Sequence, residues 1–139
     1  MKTKKSNRKL EYTAIVILVV LVVAFVFLMK NSSNICSNGI HKEIYSPDRS
    51  LKAVIFTRNC GATTNYSTQV SIIEKEETLK NESGNVYIVD GQALKSSPKI
   101  SWVDKSHLNI KPRPYKRELK AEKEWGWIQT VKISYDEIQ

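Results

Sequence analysis

The chain has 139 residues, 41% hydrophobic and 26% charged, with a formal charge of +8, two cysteines and two histidines. That length holds one domain of about 100 residues plus an accessory segment. Two isolated histidines and two distant cysteines lack the close ligand pairs of a zinc site, and the charge, once partitioned, does not indicate nucleic acid.

Residues 1–11 form a short basic tail in which Lys2, Lys4, Lys5, Arg8 and Lys9 face one acid, Glu11. From Tyr12 to Met29 the chain reads YTAIVILVVLVVAFVFLM, eighteen residues without a charge. As a helix this run is long enough to cross the hydrocarbon core of a bilayer. Only Lys30 and then uncharged Asn31-Ser32-Ser33-Asn34 follow it. The positive-inside rule therefore predicts a cytoplasmic N-terminus and an extracytoplasmic remainder, a single-pass protein of the cell membrane. A cleaved signal peptide is the alternative, but its apolar core is usually about 7–15 residues and ends at a small-x-small site. This run ends Phe-Leu-Met-Lys, which favours an uncleaved anchor.

Residues 1–30 carry six Lys or Arg against one acid, net +5, whereas residues 31–139 carry sixteen against thirteen, net +3. Most of the excess thus orients the helix and meets anionic headgroups. Residues 30–40 read as a juxtamembrane linker containing Cys36. A lipoprotein reading of Cys36 fails because bulky Ile35 stands where a small residue is needed. With both cysteines on the exported side, a Cys36–Cys60 bridge is the default, and two reduced cysteines the alternative. Such a bridge would hold the domain close to the membrane.

Residues 41–139 show period-2 patterns far more often than helical ones. Candidate strands are 42–45, 51–58, 66–72, 86–89, 99–103, 108–111 and 131–135. The expected fold is mainly β: a transmembrane helix followed by a small antiparallel sheet or sandwich with hairpins. In the strand from Tyr66 to Ile72, alternation predicts one core face and one wet face, with Ser67 and Gln69 outward. Two hairpin turns align on Asp48 and Asp104, each followed by a basic residue, a serine and a return strand. Each carboxylate is placed to accept backbone N–H groups. A strand ending Ser-Pro-Asp resembles β-propeller hairpins, but four blades of about 40 residues exceed the chain.

The segment from Pro112 to Trp125 has helix-forming composition after two prolines and reads as a solvated connection, with one or two helical turns. A second reading is a basic arm against lipid headgroups or anionic wall polymer, though acids interleave with its bases.

Chemistry is sparse. Cys60, in the stretch Arg58-Asn59-Cys60-Gly61-Ala62-Thr63-Thr64-Asn65, would need a base as a nucleophile, and only His41 and His107 are available. There is no Gly-rich phosphate loop and no Gly-x-Ser-x-Gly elbow, so no cofactor is expected. Thr63, Thr64 and Asn65 form a polar turn with recognition capacity. Trp125-Gly126-Trp127 sets two indoles on one side of an extended chain, a platform for a sugar or peptide; a core-capping Trp with a partner at an edge is the plainer reading. Asn31, Asn65 and Asn81 sit in glycosylation-acceptor tripeptides.

The segment SPDRSLKAVIFTRNCGATTNYSTQVSI, followed by GNVYIVD, resembles a family of small uncharacterised bacterial envelope-anchored proteins. These share its Cys-Gly-Ala-Thr-Thr element and Ser-Thr-Gln-Val-Ser-Ile strand. The resemblance implies a shared fold and no activity, and Arg49 departs from it where glycine is common. The expectation is a non-enzymatic, membrane-anchored binding or interaction module, of accessory or immunity type, whose partner is an envelope protein or wall polymer. A thiol-dependent enzyme or redox partner using Cys60 is the alternative.

Overall fold

The computed structural model of the chain describes residues 3–31, 35–61, 63–114, 116–128 and 130–136. Two compact units divide it, one up to Asn34 and one from Ile35 onward. The first is a helix, α1 (Thr3–Asn31). Its stretch from Lys9 to Met29 is long and apolar enough to cross a membrane; at 1.5 Å per residue it spans about 30 Å. The Val, Leu and Phe side chains along it stand exposed. Thr13, a polar residue within the run, donates its hydroxyl to Lys9 O at 2.7 Å, which spares that group a partner in lipid.

The second unit is a two-layer β-sandwich. One sheet has the order β1 (Ser37–Tyr45), β2 (Leu51–Asn59), β3 (Ser67–Glu74), β4 (Tyr87–Asp90), β7 (Glu118–Ala121), antiparallel throughout. The other runs β5 (Lys99–Asp104), β6 (His107–Lys111), β9 (Val131–Tyr135), β8 (Glu124–Trp125). A single-turn helix, α2 (Ala93–Ser96), links β4 to β5. Because side chains alternate along a strand, Leu51, Ala53, Ile55, Val70, Ile72, Tyr87 and Val89 share one face of the first sheet. They form a single buried cluster with Leu108, Ile110, Val131 and Ile133 of the second.

Both sides of the sandwich are closed. Along one, Trp102 Nε1 donates to Ile44 O at 2.9 Å, tying β5 to β1. Along the other, the chain leaves the first sheet at Ala121 and joins the second at Glu124. Glu122 N donates to Val86 O (2.9 Å), Ile133 N to Lys123 O (2.8 Å), and Tyr135 Oη to Glu122 O (2.7 Å). Residues 118–121 and 124–125 of the segment read from sequence as a solvated connection with helical turns are therefore two edge strands. Pairing with β4 and β9 overrides their local helix preference, and their alternating Glu and Lys charge the edges against further strand addition. One pairing is parallel, β6 with β9, because β7 and β8 intervene as the crossover.

The prediction of a wet face on β3 is corrected as well. Gln69 and Ser71 are each only 4% exposed, since residues 75–85 fold back over that face. Gln69 Oε1 accepts Gly84 N at 2.6 Å and Ser83 Oγ at 3.2 Å, while Ser71 Oγ accepts Asn85 N at 3.2 Å. The carboxamide of Asn85 pairs with both backbone groups of Ile72, acting as one more peptide in the ladder. At Gly84 an added Cβ would lie 2.9 Å from Gln69 Cβ and 3.0 Å from Val70 O, so the covering loop approaches this closely only without a side chain.

Both aspartate turns behave as their spacing predicts. Asp48 Oδ1 accepts Ser46 Oγ, Ser50 N and Ser50 Oγ; Asp104 Oδ1 accepts Ser106 N and Oγ. These donors lower both carboxyl pKa values. Arg49 adopts φ 57°, the left-handed conformation that glycine takes at least cost, and its guanidinium lies 5.3 Å from the Tyr45 ring centroid.

Candidate functional site

The cysteines lie just past the last β1–β2 pair, Ser37 with Asn59. They are joined as the Cys36–Cys60 disulfide, with Cα atoms 3.9 Å apart and a sequence separation of 24. The strand begins at Ser37, within the segment 30–40 read as a linker, because the bridge and its neighbours hold the chain in register. Asn38 Nδ2 donates to the carbonyls of Lys80 and Glu82, Arg58 donates to Asn38 Oδ1 at 2.7 Å, and Asn81 Nδ2 donates to Cys36 O at 2.7 Å. Asn81 is thus occupied in holding the bridge. The extra residue that bends β1 is His41, between the pairs Ile40–Phe56 and Lys42–Ile55.

Neither histidine is brought to Cys60. His41 stands at that bulge, and His107 opens β6 at the other end of the sandwich, with Nε2 2.9 Å from Ser134 Oγ. No described cysteine is free. A thiol mechanism would first require reduction of the bridge. Among the described residues no group of three or more His, Cys, Asp or Glu could hold a metal ion.

The turn predicted to have recognition capacity sits at this Cys36 end. Thr64 spends its hydroxyl and amide on Gly61 O, and Gly61 N donates to Asn59 Oδ1, so part of the polar run builds the turn itself. Ala62 lies outside the described residues. Thr63 and Asn65 are exposed. Asn65 lines an open depression with Tyr66, Asp90, Gly91, Gln92 and Lys116. Gly91, at φ 104°, lies against Ser96, whose buried hydroxyl has no hydrogen-bond partner among the described residues. These partners come from four separate segments, and sequence order gave no signal of their meeting.

At the opposite end, Trp125 and Trp127 line one shallow cleft with Leu51, Glu74, Gly126 and Ile128. The two indoles do not project from an extended chain. Gly126 has φ 93°, which breaks the extended geometry that alternation assumes. Trp125 packs against the core, while Trp127 and Ile128 are fully exposed, at 102% and 103%. Ile128, Leu51 and Glu74 were missed; the readable signal was two adjacent apolar residues, Trp127-Ile128, after a glycine.

The sandwich also holds two tyrosines in contact, Tyr87 and Tyr135, with ring centroids 5.9 Å apart. Tyr87 Oη donates to Glu118 Oε1 at 2.8 Å. Burial, then the Glu118 carboxylate, raises the Tyr87 pKa; burial, then Glu118 and Glu122, raises that of Tyr135 to about 12. Both folded values lie above the ordinary phenol value near 10. Their contribution is therefore complete below about pH 10 and is lost as pH rises toward the folded values, because the unfolded chain ionises first. Stability measured by denaturant titration is expected to be flat from pH 7 to about 9.5 and to fall above it. In Tyr135→Phe the alkaline fall should be shallower.

Comparison with known proteins gives no match among the curated proteins or the solved structures. One family model matches residues 5–134, a span that takes in the apolar helix together with the sandwich. The chain belongs to that family, described as a family of unknown function (DUF5412).

Proposed function

We propose that this protein is a membrane-anchored, non-enzymatic binding module that presents Trp127 and Ile128 to a protein partner outside the cytoplasm, in an accessory or immunity-type role at the cell envelope. The observation that carries the reading is the complete exposure of Trp127 and Ile128 at the end of the sandwich opposite Cys36. Adjacent exposed apolar side chains of this size beside a partly apolar cleft are typical of interface anchors. The basic tail before α1 and the disulfide after it support an extracytoplasmic sandwich.

A photo-crosslinking amino acid placed at Trp127 in the full chain tests this in cells. The expected result is a discrete adduct from position 127, absent when the probe replaces exposed Ser101 on β5, and lost on adding Ile128→Ser. Equal adducts from both positions, or none, would sink the reading. Trp127→Ala should leave stability within about 0.5 kcal/mol of wild type, as for other exposed positions.

A further inference from the structure

Charge is divided unequally between the two ends of the sandwich. At the Cys36 end, several short contacts gather basic segments from distant parts of the sequence. Ala93 N donates to Thr57 Oγ1 (3.0 Å), Arg113 Nε to Ser97 O (3.1 Å) and Asp90 N to Arg117 O (3.0 Å), and Lys99 pairs with Lys111 across β5 and β6. Lys95, Lys99, Lys111, Arg113, Lys116 and Arg117 are brought to this end, and all six are exposed.

The acids nearby have other partners. Asp90 pairs with Arg117 at 3.2 Å, Glu118 accepts the Tyr87 hydroxyl, and Asp136 accepts Asn109 Nδ2 at 3.0 Å. Glu82 lies on the covering loop, its backbone carbonyl accepting the Arg58 guanidinium at 3.0 Å. None of the ion pairs among the described residues involves Lys95, Lys99, Lys111 or Lys116. The other end has no such excess: Asp48, Glu74, Glu76 and Asp104 stand there among Arg49, Lys75 and Lys105.

Chain length supplies the second half of the argument. Only residues 30–35 separate Met29 from Cys36. Fully extended, that connection reaches about 25 Å. A surface that holds Met29 therefore lies within that reach of Cys36, which the disulfide fixes to one end of the sandwich.

We propose that this basic end is a docking surface for anionic phospholipid headgroups. Unpaired lysines close to an anionic leaflet gain attraction that fades within a Debye length, about 10 Å at 0.1 M salt. The proposal rests on α1 being a membrane anchor but not on the partner assigned to Trp127 and Ile128.

The test is lysine acylation, read by mass spectrometry, on the full chain in lipid nanodiscs. With about one-third phosphatidylglycerol, labelling of Lys95, Lys99, Lys111 and Lys116 is expected to fall about threefold relative to phosphatidylcholine discs, with Lys75 and Lys105 unchanged. About 0.5 M salt should restore it. The double variant Lys99→Glu/Lys111→Glu should lose protection at Lys95 and Lys116 while keeping wild-type tryptophan fluorescence. Equal labelling in the two bilayers overturns the proposal. So does protection produced by soluble polyglycerol phosphate and not by phosphatidylglycerol, which would make a wall polymer the partner. A chain that does not stay with the discs overturns the anchor and this proposal together, and leaves the crosslinking result at Trp127 to be judged separately.

Discussion

Replacing Cys36 and Cys60 together with serine is expected to lower the unfolding free energy of the sandwich by about 3.5 kcal/mol, the loop-entropy cost of a closure of this length. Urea denaturation followed by tryptophan emission reads the change directly, because Trp102, Trp125 and Trp127 all lie in the sandwich and none in α1. Reductant added to the wild type should give the same shift. The loss should also be local. Ser37 to Ile40 lie between the bridge and the bulge at His41, and they pair with Phe56 to Asn59 on one side only. Amide exchange should accelerate there first, while Ile44, whose carbonyl is held by the Trp102 indole, keeps its protection. Uniform loss of protection along β1 would show that the bridge does not pin that edge.

The second large effect separates the two faces of one strand. Leu108 is wholly buried in the cluster shared by the two sheets, and Leu108→Ala is expected to cost about 2–5 kcal/mol. Its neighbour Asn109 points the other way, accepting Ser134 Oγ at 2.8 Å and donating to Asp136 at 3.0 Å. Asn109→Ala removes hydrogen bonds from a half-buried surface position and should cost about 1 kcal/mol. Comparable costs at the two positions would contradict the face-to-face packing of the sheets.

How far the sequence carried this description depended on whether a feature was local. The apolar run of α1, the strands with strong alternation, and the Asp48 and Asp104 turns are written in neighbouring residues and were legible. The cysteine pairing followed from count and compartment, and the disulfide agrees with it. What failed was decided by distant segments. Gln69 looked outward because nothing near it announces that residues 83–85 supply its hydrogen-bond partners. Residues 118–125 have helix-forming composition, and two open sheet edges claim them as strands instead. The extended geometry assumed for Trp125-Gly126-Trp127 failed for a local reason, the positive φ of Gly126, which a period-2 reading ignores. The basic end was legible only in part, as the basic arm containing Arg113, Lys116 and Arg117, since Lys95, Lys99 and Lys111 join it only after β4, α2, β5 and β6 are in place.

The proposed placement of the sandwich outside the cytoplasm with its cysteines paired is tested by labelling intact cells with a membrane-impermeant maleimide, with and without reductant. Cys36 and Cys60 are the only thiols in the chain, so the signal is unambiguous. The account predicts no labelling without reductant and labelling of both cysteines once it is added, with the cells still intact. Labelling that requires cell lysis, or that is complete without reductant, would contradict it.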